Sequence, residues 1–87
     1  MDIKAKLRPF YIAKMLYEQT DENNPLSAPQ LVELLAEKGI PCERKAIYRD
    51  VESLVNFGFD IMQSTFPPGY FWGRRLFELP ELRMLAD

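Results

Sequence analysis

The sequence predicts an α+β fold that is mostly helical and forms one domain. Three stretches with apolar residues at helical spacing come first, and two short runs rich in apolar and aromatic residues follow them. The chain has 87 residues, 47% of them hydrophobic, which suits a single compact core without a disulfide or metal framework. We therefore expect three helices, a two-stranded hairpin and an additional C-terminal helix.

The first predicted helix covers roughly residues 5–19. Pro9 is acceptable only in its first turn, where no backbone donor is needed, so the start can shift toward Arg8. The polar, turn-forming run 20–25 separates this helix from the next one. The apolar residues expected on the buried face of the first helix are Leu7, Phe10, Tyr11, Met15 and Leu16.

The second predicted helix runs from Ala28 to Lys38. Ser27 and Gln30 have the spacing of a capping box, in which the serine oxygen accepts from a backbone amide and the glutamine side chain reaches back. Gly39 marks the end of the helix, because glycine best tolerates the left-handed conformation found there. The residues expected to be buried are Leu31, Leu34 and Leu35.

The third predicted helix begins at Glu43, runs through Leu54 and ends near residue 57. Only residues 39–42 separate it from the second helix, a connector short enough to force a sharp angle, as in a helix-turn-helix. Its predicted buried stripe consists of Ile47, Val51, Leu54 and Val55, whereas the flanks and the opposite side carry Lys45, Tyr48, Arg49 and Ser53. One face is thus expected to form the core, and the other is free to bind.

A two-stranded hairpin is predicted after the third helix. Residues 59–64 alternate in polarity, and the aromatic run 70–72 is typical of a returning strand, with residues 65–69 as the tip. The three aromatic residues of the second run are expected to pack in the hairpin and the core rather than to stack on bases. A short extended piece over 76–79 and a last helix over 80–85 follow.

The composition disfavours enzymatic chemistry. Histidine is absent, which removes the commonest general base and metal ligand, and no nucleophile, base and orienting residue recur together. We expect no enzyme, no cofactor and no metal. Cys42 is the single cysteine and is interpreted as an inert residue near the helix start, in a reducing compartment. No apolar run has membrane-spanning length and no signal-type segment is present, so a cytoplasmic location is expected.

The distribution of charge says more about partners than its sum. If the charge were spread evenly over the protein surface, the net charge of −2 would argue mildly against a nucleic-acid partner. Basic residues are nevertheless clustered locally. Arg44, Lys45 and Arg49 lie on the third helix, and Arg74 and Arg75 follow the hairpin.

The most specific patterns are Ile47-Tyr48-Arg49-Asp50 in the third helix and Phe77-Glu78-Leu79-Pro80-Glu81-Leu82 near the C-terminal end. Together with residues 26–35, 39–54 and 69–73, they resemble the N-terminal winged helix-turn-helix domain, of DeoR type, of WYL-domain bacterial transcriptional regulators. The resemblance covers nearly the whole chain. In that family the third helix enters the DNA major groove, and a separate WYL domain senses a ligand.

The resemblance implies a winged helix-turn-helix DNA-binding domain over residues 1–79. Residues 80–87 would then begin a linker helix toward a downstream ligand-sensing domain in a full-length parent protein. The implied function is regulation of transcription by binding double-stranded DNA, as a homodimer on a two-fold site. The alternative is a winged-helix protein-interaction module that docks a partner through the tip at residues 66–68 and the final helix.

Eight residues are candidates for DNA contact, namely Ser27, Gln30, Arg44, Lys45, Tyr48, Arg49, Arg74 and Arg75. Arg49 is expected to read a base, since one arginine can make two hydrogen bonds to a guanine edge. The cations at the helix start suit phosphates instead. The start of the second helix, with Gln30, is a further seat for phosphate.

Alternative structural roles exist for the charged candidates. The cations of the third helix can form ion pairs with Asp50 or Glu52 on a solvated face, and the two arginines after the hairpin can lie in water. Asp50 is expected to make a structural salt bridge to a neighbouring helix.

Two features depart from the family pattern. Cys42 stands where a small polar cap is usual, and the tip Phe66-Pro67-Pro68 lacks the basic residues that draw a wing onto phosphate.

Overall fold

A computed structural model describes residues 3–73, which form four helices and one two-stranded antiparallel sheet. The elements are α1 (Ile3–Lys6), α2 (Arg8–Gln19), α3 (Ala28–Glu37), α4 (Arg44–Phe57), β1 (Ile61–Thr65) and β2 (Pro68–Trp72). The predicted α+β class with a majority of helix is confirmed. The extended piece expected at 76–79 and the helix expected at 80–85 lie outside the described residues.

α1 and α2 form an almost continuous helix. The amide of Leu7 donates to the carbonyls of Ile3 and Lys4, and the carbonyl of Leu7 accepts from Tyr11, so helical hydrogen bonding crosses the junction. Pro9 lies in the first turn of α2, as predicted. A proline is tolerated there because the first-turn amides have no partner within the helix.

The predicted buried face of α2 was partly wrong. Met15 and Leu16 are buried, but Leu7 is 41% exposed and Phe10 is 63% exposed. Ile12, which the predicted stripe omitted, is fully buried. The helix carries apolar residues on two sides, and α3 and α4 pack only against the side that contains Ile12.

α3 begins at Ala28 as its sequence predicts and ends one residue before the predicted Lys38, which takes the C-cap position. The amide of Gln30 donates to Ser27 Oγ at 3.3 Å, and the amide of Ser27 donates to Gln30 Oε1 at 2.8 Å, which completes the capping box. Gly39 follows the helix with φ of 81°, and the amide of Ile40 then returns to the carbonyl of Leu35. Leu31 and Leu35 are fully buried as predicted. Leu34, which was also predicted to be buried, is only half-buried because it lies at the edge of the face that meets the core.

α4 differs from its prediction at two places. It starts at Arg44, and Glu43 takes the N-cap position without a side-chain hydrogen bond, so Cys42 is not the cap. Val55 was expected to be buried but is 44% exposed. Asp50 completes the buried side instead, because it lies on the same side of the helix as Ile47 and Leu54. Val55 follows Leu54 by one residue, and this rotation of 100° about the helix axis brings its side chain toward solvent.

The hairpin pairs Ile61 with Trp72 at one end and Thr65 with Pro68 at the other. The Phe66–Pro67 peptide bond in its tip is cis. The first strand begins at Ile61 and not at the predicted residue 59. The amide of Phe59 donates to the carbonyl of Leu54 and so still belongs to the end of α4. The second strand begins two residues earlier than predicted.

Two sets of hydrogen bonds attach the hairpin to the helices. Leu26, just before α3, exchanges two backbone hydrogen bonds with Tyr70, of 2.9 and 2.8 Å. The buried hydroxyl of Thr20 donates to the carbonyl of Leu16 and accepts from the amide of Trp72 at 2.9 Å. The hairpin is therefore held against the end of α2 and beside the start of α3.

The close approach of Leu26 to the hairpin requires glycine at position 69. A Cβ atom added to Gly69 would lie 2.8 Å from the carbonyl carbon and oxygen of Leu26, which are backbone atoms that cannot rotate away. We expect Gly69→Ala to lower the free energy of unfolding by about 1–3 kcal/mol. Urea denaturation measures this difference.

Gly73→Ala is the matched control. Its added Cβ would meet the carboxylate of Asp60, a side chain that can turn aside, so we expect a smaller loss of stability. Equal effects of the two substitutions would contradict the close backbone approach at Gly69.

Candidate functional site

α4 has two faces of opposite character. Its buried side consists of Ile47, Asp50, Val51 and Leu54. Its outer side exposes the four predicted contact residues Arg44, Lys45, Tyr48 and Arg49. At 100° per residue these four side chains lie within less than half a turn of one another. Glu52 is exposed on the same side and offsets one of the three positive charges.

A cleft of about 420 Å³ borders the outer face of α4. The start of α3 lines one wall, the first two turns of α4 form the floor, and the hairpin lines the other wall. The lining residues are Ser27, Ala28, Pro29, Arg44, Tyr48, Gln63, Ser64, Pro68, Gly69 and Tyr70. The backbone pairing of Leu26 with Tyr70 holds the two walls at this separation.

The structure brings three of the predicted site residues together. Ser27, Arg44 and Tyr48 all line the cleft. Gln30, Lys45 and Arg49 are exposed but do not line it. Arg74 and Arg75 lie outside the described residues.

The sequence interpretation missed the polar residues of the hairpin wall, Gln63, Ser64 and Tyr70. Alternation along the first strand was visible in the sequence. It does not say which face of the hairpin meets α4, because that depends on the pairing with Leu26.

The start of α3 offers fewer backbone donors than a helix N-terminus ordinarily does. Pro29 has no amide hydrogen, and the amide of Gln30 is already donated to Ser27 Oγ. The Oε1 atom of Gln30 accepts from the amide of Ser27, which leaves its side-chain NH₂ group as a donor toward solvent. The α3 wall of the cleft therefore offers few backbone donors, and the Gln30 side chain lies outside the cleft lining.

Two phenol groups, those of Tyr48 and Tyr70, line the cleft. Burial raises the pKa of Tyr70, and its proximity to Tyr48 raises that pKa further. The hydroxyl of Tyr70 therefore keeps its proton at neutral pH and can donate a hydrogen bond. Together with the Arg44 guanidinium, the cleft presents donors suited to an anion.

Asp50 joins α4 to the start of α2. Its Oδ2 atom accepts from Arg8 Nε at 2.5 Å, and its Oδ1 atom accepts from Arg8 Nη2 at 3.3 Å. The predicted salt bridge to a neighbouring helix is confirmed. The alternative pairing of Asp50 with cations of α4 is wrong, because the carboxylate faces α2. The hydrogen bond to Asp50 raises the pKa of Arg8, whose role the sequence analysis did not identify.

Cys42 lies beside this ion pair and is half-buried. Burial raises the pKa of its thiol, and the nearby Arg8 charge opposes that increase only in part. The protonated thiol is a weak nucleophile near neutral pH.

Among residues 3–73 no three or more histidine, cysteine or acidic side chains are grouped so that they could hold a metal ion. None of the helices in that range has the length and apolar character needed to cross a membrane.

Comparisons of this chain with protein-family models, with curated proteins and with solved structures found no match. The function must therefore be inferred from the geometry and chemistry of the α4 surface and its cleft.

Proposed function

We propose that this chain is the DNA-binding domain of a transcriptional regulator, of winged helix-turn-helix type, with α4 as the recognition helix. One observation carries the proposal: α4 buries an apolar face and exposes Arg44, Lys45, Tyr48 and Arg49 on the opposite side, between the start of α3 and the hairpin. A helix with such side chains fits the major groove, which is about 12 Å wide.

The arrangement suggests a division of roles along α4. Arg49, one turn into the helix, is the residue for a base edge, since a guanidinium can bond to both acceptors of a guanine. Arg44 and Tyr48 line the cleft, where a phosphate oxygen can accept from the guanidinium and from the phenols. Gln30 is exposed near the start of α3, outside the cleft lining, and adds its side-chain NH₂ group as a donor there.

The availability of the basic side chains supports this assignment. Within residues 3–73, Asp50 is engaged by Arg8, and Arg44, Lys45 and Arg49 make no ion pair. They can therefore meet phosphates without first giving up a protein partner. The net charge of −2 is compatible with binding, because acidic residues more than about 10 Å away are screened at physiological salt.

A protein-interaction module is the second candidate. Phe66 at the hairpin tip is 92% exposed and Met62 on β1 is 47% exposed, which are apolar surfaces that a protein partner could cover. The tip carries no positive charge, so we assign it no phosphate contact. The outer face of α4 is basic rather than apolar, and this favours DNA over a protein partner.

Salt dependence of binding to duplex DNA tests the proposal. For a protein that neutralises several phosphates, log affinity falls with log salt with a slope of about 0.9 per phosphate. We expect this behaviour from the wild-type chain in fluorescence anisotropy with random duplex fragments. A triple variant with Arg44→Gln, Lys45→Gln and Arg49→Gln should lose most of its affinity and show a shallower slope.

A second triple variant is the matched control. Lys6→Gln, Lys14→Gln and Lys38→Gln remove the same number of charges from exposed positions on α1, α2 and the end of α3. It should bind nearly as well as wild type. Equal losses of DNA affinity in the two variants would mean that net charge, and not the position of the cations on α4, causes the loss. The absence of wild-type binding to DNA at any salt concentration would favour the protein-interaction module.

A further inference from the structure

A row of large apolar side chains faces solvent along the outside of α1 and α2. Ile3 is 70% exposed, Leu7 41%, Phe10 63% and Tyr17 38%. Their spacing of four, three and seven residues places them on one line of a helix, a pattern typical of a helix-packing seam. We refer to these four residues as the outer stripe.

Tyr17 packs against the core residue Trp72 at one end of the outer stripe, whereas Ile3, Leu7 and Phe10 belong neither to the core nor to the proposed DNA surface. The stripe lies opposite Ile12, which packs into the core. The side of α2 that meets α4 is marked by Arg8, whose side chain reaches Asp50. The exposed Lys14 interrupts the row between Phe10 and Tyr17, so its apolar part consists of Ile3, Leu7 and Phe10. Large exposed apolar side chains grouped in this way often mark a contact with another polypeptide segment.

The position of the hairpin indicates which segment could cover the outer stripe. The ring of Tyr17, at one end of the stripe, meets the ring of Trp72 edge-on with centroids 5.3 Å apart. The described chain ends one residue later, at Gly73. The segment 74–87 is therefore tethered within reach of the outer stripe, on which Phe10 lies about 10 Å from Tyr17 along the helix axis.

The residues that follow are complementary to the stripe in apolarity and in charge. The apolar side chains of this segment are Leu76, Phe77, Leu79, Leu82, Met84 and Leu85. Its acidic residues Glu78 and Glu81 are opposite in charge to two exposed lysines of this surface. Lys14 lies on the line of the outer stripe, and Lys6 lies next to that line. A tethered segment also has an effective concentration in the millimolar range, which favours it over a separate molecule.

We propose that residues 76–85 dock on the outer stripe and cover Leu7 and Phe10. The contact is intramolecular, and it places the segment on the side of α2 that does not meet α4. It does not depend on DNA binding, because no residue of the stripe lies on the proposed DNA surface.

Paramagnetic NMR on the full chain tests the docking. A spin label is attached through Arg83→Cys in a Cys42→Ser background, and amide signals are recorded without DNA. We expect loss of signal intensity for the amides of Leu7, Phe10 and Lys14, and no loss for Glu33 on α3. Phe10→Ser should restore those signals.

Phe57→Ser is the matched control, because Phe57 is 73% exposed on α4 and lies outside the stripe, so its replacement should leave the signal loss unchanged. A second sample mixes isotope-labelled chain without the spin label and unlabelled chain with it. Signal loss in this mixture would show that a second copy covers the stripe and would overturn the proposal. The absence of signal loss on α2 in both samples would also overturn it.

Discussion

A chain carrying Trp72→Ala is expected to lose about 3–5 kcal/mol of its free energy of unfolding. The Trp72 side chain is 6% exposed, and its ring centroid lies 5.3 Å from that of Tyr17 and 5.5 Å from that of Phe59. It therefore joins α2, the turn after α4 and the hairpin. The cavity left by alanine cannot close easily, because Thr20 holds the backbone of residue 72 in place. Urea denaturation followed by far-ultraviolet circular dichroism measures the loss.

The control for this prediction is Phe66→Ala on the same hairpin. Phe66 is 92% exposed, so its replacement should change the free energy of unfolding by no more than about 0.5 kcal/mol. If the two variants were equally stable, the hairpin would not be packed on the helices as the structure shows.

The second large effect is expected from Arg8→Met, at about 3 kcal/mol of destabilisation. The substitution leaves the carboxylate of Asp50, a residue only 8% exposed, without the guanidinium that accounts for both of its hydrogen bonds. We take the lower end of the range for broken buried pairs because the Arg8 side chain is 21% exposed and that of Asp50 is 11% exposed. Chemical denaturation of the single variant measures this loss.

The double variant Arg8→Met with Asp50→Leu should recover most of the lost stability. It replaces the charge pair by apolar groups of similar size, which removes the unpaired buried charge. Asp50→Leu alone should cost less than Arg8→Met, because the arginine can turn toward water while the carboxylate cannot. A double variant less stable than Arg8→Met would contradict this account.

Lys38→Met provides the matched control for Arg8. It removes the same charge from an exposed side chain at the end of α3, and we expect a change within about 0.5 kcal/mol. A loss equal to that of Arg8→Met would mean that net charge, and not the contact with Asp50, is responsible.

Sequence reasoning was most successful where a structural feature depends on a few neighbouring residues. The capping box of Ser27 and Gln30 and the left-handed Gly39 both follow from chemistry within one helical turn. The buried positions Ile47, Val51 and Leu54 of α4 follow from periodicity, because that helix has only one strongly apolar side.

The sequence did not predict the buried face correctly where a helix has two apolar sides. α2 carries apolar residues on both sides, so periodicity could not decide between Phe10 and Ile12. Packing of α3 and α4 against the Ile12 side decided it. Half of the candidate site was likewise invisible, since Gln63 and Tyr70 join it only through the contact of the hairpin with Leu26.

The sequence alone determined that the chain forms three principal helices and a hairpin, and that one helix would carry Arg44, Lys45, Tyr48 and Arg49. These features rest on interactions between residues near one another in the chain. Tertiary packing was needed to bring Arg8 to Asp50, 42 residues away, and to place Tyr70 in the same cleft as Tyr48. Such contacts depend on how whole elements pack, and no local pattern specifies which distant partner a side chain will meet.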